Sequence, residues 1–275
     1  MILVTGATGK IGRELVRELG RIGAPFRMGS RNSDGDGHDA VLFDFDRPET
    51  FGKALSGIEK LFLLTSGGTE REIGAVEAAK KAGVRRLVKL SVWGAGDDAF
   101  VIGRAHRAVE RDIERTGISW TFLRPNGFMQ NLTTYKAAGI RDRGVIADAT
   151  GHARWSIVDA RDVAAVAARA LTEDGHDARV YALSGPEALS QPEMAERIST
   201  AIRRPVRYVD LSDAEYRRIQ IENGVPARYA DALVDLNVYY RSGAGAPVTA
   251  DVARALERKP RTFDDFVKEN AAAWA

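Results

Sequence analysis

The order of its apolar and amphipathic stretches constrains the fold of this chain more than any other feature. Short β-rich runs alternate with amphipathic helical stretches from the first residue, and the connections between them are short. The pattern predicts strands at residues 2–6, 25–30, 40–43, 60–65, 86–91 and 119–124, and helices at residues 12–21, 50–55, 70–82 and 104–116. Such β-α-β-α order is typical of an α/β fold in which helices cover both faces of a doubly wound parallel sheet.

The pattern changes after residue 124. Residues 125–135 contain no charged side chain and no histidine, and their aromatic and amide side chains favour a pocket lining over an exposed loop. A short strand followed by an alanine-rich helix is predicted at residues 156–172, and another strand at residues 179–184. Mostly helical patterns follow from Gln191, which indicates a small helical C-terminal part packed against the sheet.

Composition excludes several classes of function. The 275 residues include no cysteine, which excludes disulfides, thiolate zinc sites and cysteine nucleophiles. The 40 basic and 38 acidic side chains give a net charge of +2, which argues against a dedicated nucleic-acid binder. No spacing among the loop histidines His38, His152 and His176 indicates a metal site. Because neither a membrane span nor a signal peptide is recognisable, we expect a cytoplasmic protein.

A glycine-rich loop separates the first predicted strand from the first predicted helix. Its sequence, TGATGKIG at residues 5–12, follows a G-x-x-G-x-x-G pattern. Glycines here allow a tight turn, so that backbone N–H groups approach a pyrophosphate at the helix N-terminus, as in Rossmann-type folds. An ordinary structural turn is the alternative. The expected cofactor contacts are Gly6, Thr8, Gly9, Lys10, Ile11 and Gly12, with Lys10 adding a cation near the phosphates.

The residues after the second strand indicate which dinucleotide binds. NAD-specific sites usually place Asp or Glu there, whereas this chain has Ser30, Arg31 and Asn32. The planar guanidinium of Arg31 suits a 2′-phosphate, so NADP(H) is favoured over NAD(H), with a solvated loop arginine as the alternative. After the third strand, Asp44 can accept from the adenine amino group and Phe45 can pack on the ring, although an Asp there is also a common helix cap.

Further motifs extend over most of the chain. They are VTGATGKIG at residues 4–12, FRMGSR at 26–31, GVRRLVKLS at 83–91, HxxxE at 106–110, GISWTFLRPNGFMQN at 117–131, IVDARDV at 157–163 and LSGP at 183–186. With them the sequence resembles the NmrA-like, atypical short-chain dehydrogenase/reductase proteins, most of all the ergot-alkaloid reductase type, with quinone-reducing relatives somewhat further away. The resemblance implies a Rossmann fold and NADP binding, in a family that also contains proteins that bind NADP without catalysis.

The resemblance also assigns residues to the cofactor site by their position. It implies a backbone wall beside the adenosine at Leu64, Thr65 and Ser66. Lys89 and Ser91 are expected to face the nicotinamide half. The residues expected to cover the nicotinamide ring are Pro125, Asn126, Gly127 and Phe128.

The proton donor of ordinary short-chain dehydrogenases, a Tyr four residues before a Lys, is missing from the matching helix. His106 and Glu110 stand there instead, and their i, i+4 spacing places both on one helical face. His106 has three possible roles: proton transfer, anchoring of the helix through Glu110 or a backbone carbonyl, and contact with the nicotinamide half. Ser91 occupies the position of the usual catalytic serine, or caps a backbone group at the strand end.

An acceptor that is already electron-poor needs little help from a protein acid, because positioning beside the nicotinamide supplies much of the rate. We therefore expect an NADPH-dependent oxidoreductase whose acceptor is a small hydrophobic cyclic or aromatic imine, iminium ion, activated C=C compound or quinone. A non-catalytic NADP sensor and a cofactor-assisted isomerase, dehydratase or cyclase are the alternatives. The candidates for the pocket lining, unless they are ordinary packing, are Phe128, Met129, Asn131, Tyr135 and Trp155.

These inferences predict two domains. Residues 1–130, which residues 155–185 rejoin, are predicted to form the NADP-binding Rossmann domain. Residues 131–154 and 186–275 are predicted to form a smaller, mostly helical substrate domain. The expected partner is a small hydrophobic molecule, and the expected assembly is a monomer or a homodimer.

Overall fold

The computed structural model describes residues 1–31, 40–65 and 68–275. The elements up to the sixth strand are β1 (Ile2–Val4), α1 (Lys10–Arg21), β2 (Phe26–Ser30), β3 (Ala40–Leu42), α2 (Phe51–Leu55), β4 (Lys60–Leu63), α3 (Thr69–Lys81), β5 (Arg86–Leu90), α4 (Val101–Glu114) and β6 (Ser119–Pro125). The later elements are α5 (Asn131–Thr134), α6 (Ala137–Arg143), β7 (Val145–Asp148), β8 (Arg154–Trp155), α7 (Ala160–Thr172), β9 (Arg179–Leu183), β10 (Leu189–Ser190), α8 (Gln191–Ile202), β11 (Arg207–Asp210), α9 (Asp213–Glu222), α10 (Ala227–Arg241), α11 (Asp251–Leu256) and α12 (Phe263–Asn270).

Seven parallel strands form the central sheet, in the spatial order β3-β2-β1-β4-β5-β6-β9. The order and direction of the strands confirm the predicted doubly wound α/β fold. Because β2 lies on one side of β1 and β4 on the other, the two halves of the sheet diverge beside β1. Ligands of such sheets bind outside the carboxyl ends of the strands, at this switch point. The loop after β1 and the ends of β4, β5 and β6 therefore mark the place to look for a site.

The central strands contribute side chains to two apolar cores, one on each face of the sheet. In β1, Ile2 and Val4 join the core beneath α1 and α7, whereas Leu3 joins the opposite core, which α2, α3 and α4 cover. The alanine-rich α7 buries small side chains such as Ala164 and Ala167, so it packs closely against α1. Burial on both faces explains why the strands are continuous apolar runs.

A third apolar core lies outside the central sheet. There β7 pairs in parallel with β11, and β8 pairs antiparallel with β10. Side chains of α8 and α12 pack in this core around the fully buried Trp274. None of the helices in the described part of the chain is long and apolar enough to cross a membrane.

The predicted elements before residue 125 are confirmed, with ends that differ by up to three residues. The alanine-rich helix is confirmed as α7, and the strand at residues 179–184 as β9, which forms one edge of the central sheet. The short strand predicted to precede α7 is wrong, because Val158 makes only an isolated bridge to Phe128. The chain turns there into the helix, where the Asp159 side chain accepts the Arg161 N–H as an N-cap.

Candidate dinucleotide and acceptor site

The glycine loop forms a tight turn at the carboxyl end of β1. Gly6 has a left-handed backbone (φ 63°), and its carbonyl accepts the Gly9 N–H at 2.9 Å. A Cβ on Gly12 would lie 2.1 Å from the Gly6 carbonyl oxygen, and a Cβ on Gly6 would lie 2.9 Å from the Leu64 side chain. Thr5 fixes the turn against β4, because its hydroxyl lies 3.0 Å from both the Phe62 and the Leu64 carbonyl oxygens, shares its one proton between them and accepts the Leu64 N–H. Only glycine fits at positions 6 and 12 of this loop.

The start of α1 can hold an anion. Gly9 is the N-cap residue and has no side chain to occupy the N–H groups of the first turn. These groups and the positive end of the helix dipole favour a phosphate at that place. Ile11 is buried in the core, so only its backbone can contribute to such a site, whereas Thr8 is exposed. The loop and the helix start therefore fit the pyrophosphate of a dinucleotide.

Lys10 connects this loop to the segment that follows β6. Its ammonium donates to Asn131 Oδ1 at 2.8 Å and lies 4.3 Å from the centroid of the Tyr135 ring. Burial lowers the pKa of Lys10 to about 8. Two residues predicted to line an acceptor pocket thus contact a residue predicted to bind cofactor phosphates.

The residues predicted at the adenosine end lie at the carboxyl ends of β2, β3 and β4. β2 ends at Ser30, and the exposed Arg31 follows directly. Asn32 and Ser66 lie outside the described residues, while Leu64 and Thr65 follow β4. Phe45 is half-buried and packs edge-on against Phe43, with 5.2 Å between ring centroids. Asp44 Oδ1 accepts the Asp46 N–H at 3.0 Å, so this carboxylate forms a turn after β3 rather than a helix cap.

Lys89 is fully buried in β5. Its ammonium donates to Glu72 Oε2 on α3 at 2.6 Å and to the Leu90 carbonyl at 3.3 Å. Burial, and then the charge of Lys89, lower the pKa of His106 on α4 to about 3. The imidazole is therefore neutral near pH 7, and the charge of Lys89 contributes to this.

Glu110 binds Ser91 and Arg124 rather than His106. Ser91 Oγ donates to Glu110 Oε1 at 2.6 Å, and the Arg124 guanidinium contacts both carboxylate oxygens at 3.0 and 2.6 Å. The hypothesis that His106 anchors its helix through Glu110 or a backbone carbonyl is wrong within the described part of the chain, where Glu110 binds Ser91 and Arg124 and His106 makes no such hydrogen bond. His106 Nδ1 is buried without a hydrogen-bond partner among residues 1–31, 40–65 and 68–275.

Asn126 holds the end of β6 against the C-terminal part. Its amide nitrogen donates to Ser156 Oγ at 3.0 Å and to the Gly245 carbonyl at 2.9 Å. Its amide oxygen accepts the Tyr240 hydroxyl at 3.0 Å and the Gly127 N–H at 2.9 Å. These bonds occupy the amide and fix the backbone at the end of β6, where the sequence predicts the cover of the nicotinamide ring.

The other predicted lining residues differ in exposure. Tyr135 is 74% exposed and Phe128 is half-buried, whereas Met129 belongs to the third apolar core. Trp155 packs edge-on against Tyr240, with 4.3 Å between ring centroids. The structure thus brings Asn131 and Tyr135 to the glycine loop. Trp155 contacts Tyr240, which binds Asn126, and Met129 is buried in the third apolar core.

Sequence reasoning missed Glu72 and Tyr240. Each lies on a helix that no motif marked, and Tyr240 is 114 positions from the Asn126 that it binds. A buried lysine in a strand was the one available signal for Glu72, since a buried ammonium requires an opposite charge.

The fold and the glycine cradle define an NAD(P)H-binding protein. A sequence model of the family described as NAD(P)H-binding matches residues 6–174, and the chain belongs to this family, within the atypical short-chain dehydrogenase/reductase type that its motifs resemble. It is an NAD(P)H-dependent oxidoreductase, as the sequence predicted.

Several named proteins are similar to it over their whole length. The NAD(P)H azoreductase of Xenophilus azovorans is 37% identical, over 100% of this chain and 99% of the relative. The (4-alkanoyl-5-oxo-2,5-dihydrofuran-3-yl)methyl phosphate reductase of Streptomyces griseus is 38% identical, over 100% and 99%. Among solved structures, the NADPH-dependent quinone oxidoreductase of Escherichia coli complexed with NADPH has a TM-score of 0.87 and is 26% identical, over 98% of this chain and 99% of that one.

Proposed function

We propose that the chain is an NADPH-dependent reductase of small hydrophobic, cyclic or aromatic acceptors with an activated double bond. The acceptor class comprises imines and iminium ions, activated C=C compounds and quinones. NADPH supplies the hydride when it is bound. The loop at residues 6–12 would hold the pyrophosphate, and Arg31 would bind the 2′-phosphate through its planar guanidinium.

The hydrogen bond of Ser91 and the neutral state of His106 support this acceptor class. The Ser91 hydroxyl already donates its proton to Glu110, and the neutral His106 is rarely protonated near pH 7. Neither side chain is a ready proton donor, so a ketone that needs protonation during hydride transfer is a poor fit. An electron-poor acceptor takes the hydride first and its proton afterwards from water. We assign hydrogen-bonding roles in the site to both residues, with Ser91 accepting through a lone pair.

The similar proteins support this acceptor class. Their names describe azo compounds, quinones and a dihydrofuranone, which are all conjugated, electron-poor double-bond systems. This chain is similar to each of these proteins over nearly its full length. A common site at the carboxyl edge of the sheet would serve all of these acceptors, because positioning and exclusion of water supply much of the rate.

The test combines cofactor binding with turnover. NADPH and NADH are titrated into the wild type and Arg31→Ala, and a panel of quinones, imines and activated alkenes is then added while absorbance at the nicotinamide band is followed. We expect Arg31→Ala to weaken NADPH binding by about tenfold or more and NADH binding by much less, since it removes a charge-assisted pair. Steady NADPH oxidation by at least one member of the panel is expected from the wild type.

Arg85→Ala is the matched control. This exposed arginine lies directly before β5, at the amino ends of the strands and so at the opposite end of the sheet from the proposed site. It pairs with Glu59. It should leave both cofactor affinities unchanged. NADPH binding without turnover of any acceptor would contradict the reductase proposal and support a non-catalytic NADP sensor. Equal affinity for NADPH and NADH in the wild type would contradict the role of Arg31.

We further propose the cytoplasm as the site of action, where NADPH is available, and a monomer or homodimer as the assembly. Sedimentation of the purified chain measures the number of subunits in the assembly directly. A larger assembly would contradict it.

A further inference from the structure

The ammonium of Lys10 is a half-buried cation whose neighbours are uncharged. It donates to the Asn131 amide oxygen at 2.8 Å and lies 4.3 Å from the centroid of the Tyr135 ring. By contrast, Lys89 and Lys136 each pair with a buried carboxylate, at 2.6 and 2.8 Å. In the described part of the chain no carboxylate pairs with Lys10, and burial lowers its pKa to about 8. A cation that has lost part of its hydration favours an anion as a further partner.

The proposed phosphate position lies beside this cation. Lys10 is the first residue of α1 and follows the N-cap Gly9 directly, where the N–H groups of the first turn fit a phosphate. An ammonium has three N–H groups, and Asn131 takes one of them. The other two are available to a phosphate oxygen and to the face of the Tyr135 ring. Lys10 can therefore bind a phosphate without leaving Asn131 or Tyr135.

Asn131 and Tyr135 belong to one short segment that follows β6. The Tyr135 N–H donates to the Asn131 carbonyl at 2.9 Å, as in a helical turn, so the two side chains lie on the same face. Gln130 anchors the start of this segment, because its amide nitrogen donates to Asp159 Oδ1 at 2.8 Å. Tyr135 itself is 74% exposed, so few contacts hold its ring, and the contact with Lys10 fixes it relative to the glycine loop.

A bound phosphate would hold Lys10 in this arrangement. Without an anion, an amide oxygen and a ring face are the neighbours that compensate the ammonium for its lost hydration. A phosphate adds a charge-assisted hydrogen bond, which favours the charged ammonium between Asn131 and Tyr135. A ligand that favours one arrangement shifts the population towards it. Cofactor binding should therefore order the Tyr135 ring.

We propose that Lys10, Asn131 and Tyr135 couple the cofactor site to the acceptor site. The cofactor pyrophosphate holds the Lys10 ammonium, Lys10 and Asn131 position the Tyr135 ring, and the open face of this ring stacks on a flat aromatic acceptor. Each ligand then raises the affinity of the other by the same factor, because coupling between two binding sites is reciprocal. This inference rests on the proposed function, since it describes the acceptor of that same reductase.

Quinone binding in the absence of a hydride donor tests this coupling. ADP-ribose 2′-phosphate carries the pyrophosphate and the 2′-phosphate of NADPH but no nicotinamide, so it neither reduces a quinone nor stacks on it. Adenosine 2′-monophosphate carries the 2′-phosphate alone. Calorimetry measures the dissociation constant of 2-methyl-1,4-naphthoquinone without a nucleotide and with each nucleotide at saturation; the chain has no cysteine that could react with this quinone. We expect ADP-ribose 2′-phosphate to tighten quinone binding at least about fivefold and adenosine 2′-monophosphate to leave it unchanged.

Variants of the three residues should change this coupling factor in different ways. Lys10→Met should remove it, and Asn131→Leu should reduce it. Tyr135→Phe keeps the ring and should keep the coupling, whereas Tyr135→Ala should weaken quinone binding and remove the coupling. Arg17→Met is the control, because this exposed cation lies on the same α1 and pairs with Glu14. It should leave the coupling factor at its wild-type value.

Two results would overturn the inference. One is a wild-type quinone affinity that ADP-ribose 2′-phosphate does not change, and the other is a wild-type coupling factor in both Lys10→Met and Tyr135→Ala. Steady oxidation of NADPH by an acceptor alongside either result would leave the proposed function standing. Coupling that disappears in Lys10→Met, together with no turnover of any acceptor, would support the inference and contradict the proposed function.

Discussion

The ammonium of Lys10 lies 2.8 Å from Asn131 Oδ1, so the lysine of the glycine loop is bound to the segment that follows β6. Burial lowers the pKa of this lysine to about 8, from 10.5 for an exposed lysine. Lys10 therefore loses its positive charge within the pH range in which the enzyme can be assayed. The positive charge supports the Asn131 contact and would also attract the cofactor phosphates in the proposed site, so we expect cofactor binding to be sensitive to pH.

We predict that kcat/KM for NADPH decreases as the pH rises through about 8. The ratio kcat/KM reports the ionisation of the free enzyme, in which the Lys10 pKa is lowered, and deprotonation removes the attraction to phosphate. Lys10→Gln should have a low kcat/KM that does not change between pH 7 and 9. Lys10→Arg should move the decrease to higher pH, since a guanidinium stays charged there. If kcat/KM of Lys10→Gln decreased with pH in the same way, the decrease would belong to another ionisable group.

The close approach within the glycine loop gives a second prediction. Gly12→Ala would place a methyl group 2.1 Å from the Gly6 carbonyl oxygen and 2.7 Å from Ala7 Cα, and neither backbone atom can yield without opening the loop. We expect it to destabilise the fold by about 2 kcal/mol and to weaken NADPH binding strongly. Chemical denaturation and a fluorescence titration with NADPH measure the two effects.

Gly20→Ala on the same helix is the matched control. A Cβ there has no heavy atom within 4 Å, and Gly20 belongs to α1. It should raise the free energy of unfolding by up to about 1 kcal/mol and leave NADPH affinity unchanged, because alanine favours the helix over the unfolded chain. Wild-type NADPH affinity in Gly12→Ala would show that the loop does not hold the cofactor.

The buried charge of Lys89 gives a third prediction, on His106. Burial and this charge keep the imidazole neutral, so the pKa of His106 should be about 3. Nitrogen-15 NMR of the histidine side chains should show one imidazole that does not titrate between pH 8 and 5, and this signal should disappear in His106→Asn. The pH profile of kcat should contain no ionisation from His106 over that range. Titration of His106 near 6.5 would contradict the burial of its ring.

Removal of the ion pair should change that pKa in a known direction. The double variant Lys89→Met, Glu72→Met replaces two buried charges together, because either charge alone would remain buried and unpaired. The pKa of His106 should rise and stay below 6.5, since burial is its larger cause. Lys81→Met, an exposed lysine on the same α3, should leave it unchanged. An unchanged His106 pKa in the double variant would show that the Lys89 charge does not reach the ring.

The sequence predicted the central sheet because its signals are local. Apolar runs and amphipathic stretches each lie within one element, and the glycines after α3 and α4 lie within three residues of the helix end. The central strands contribute side chains to an apolar core on each face of the sheet. β8 and β10 were not predicted, because two-residue strands such as Arg154–Trp155 contain no periodicity of their own. They form only because tertiary packing brings the two segments together.

The contacts among the candidate site residues could be predicted from the sequence only in part. Parallel strands bring their carboxyl ends to one end of the sheet, so the sequence could place Lys89 and Ser91 at the same end of the sheet as the glycine loop. Spacing on α4 placed His106 and Glu110 on one face, and it could not show that Glu110 turns to Ser91 on the neighbouring β5. The partner of Lys89 is on another helix, and nothing in the local sequence indicates which residue it is.

The hydrogen bond from Ser91 to Glu110 gives the last prediction. Ser91→Ala removes one donor from a fully buried carboxylate that keeps its contacts with Arg124. We expect the free energy of unfolding to decrease by about 2 kcal/mol, as for other hydrogen bonds to charged groups. Because the Ser91 proton is already donated, kcat should decrease by less than about tenfold, with an unchanged pH profile. Ser91→Thr keeps the hydroxyl and should restore stability in part. A loss of kcat above about a hundredfold at unchanged stability would instead make Ser91 the proton donor.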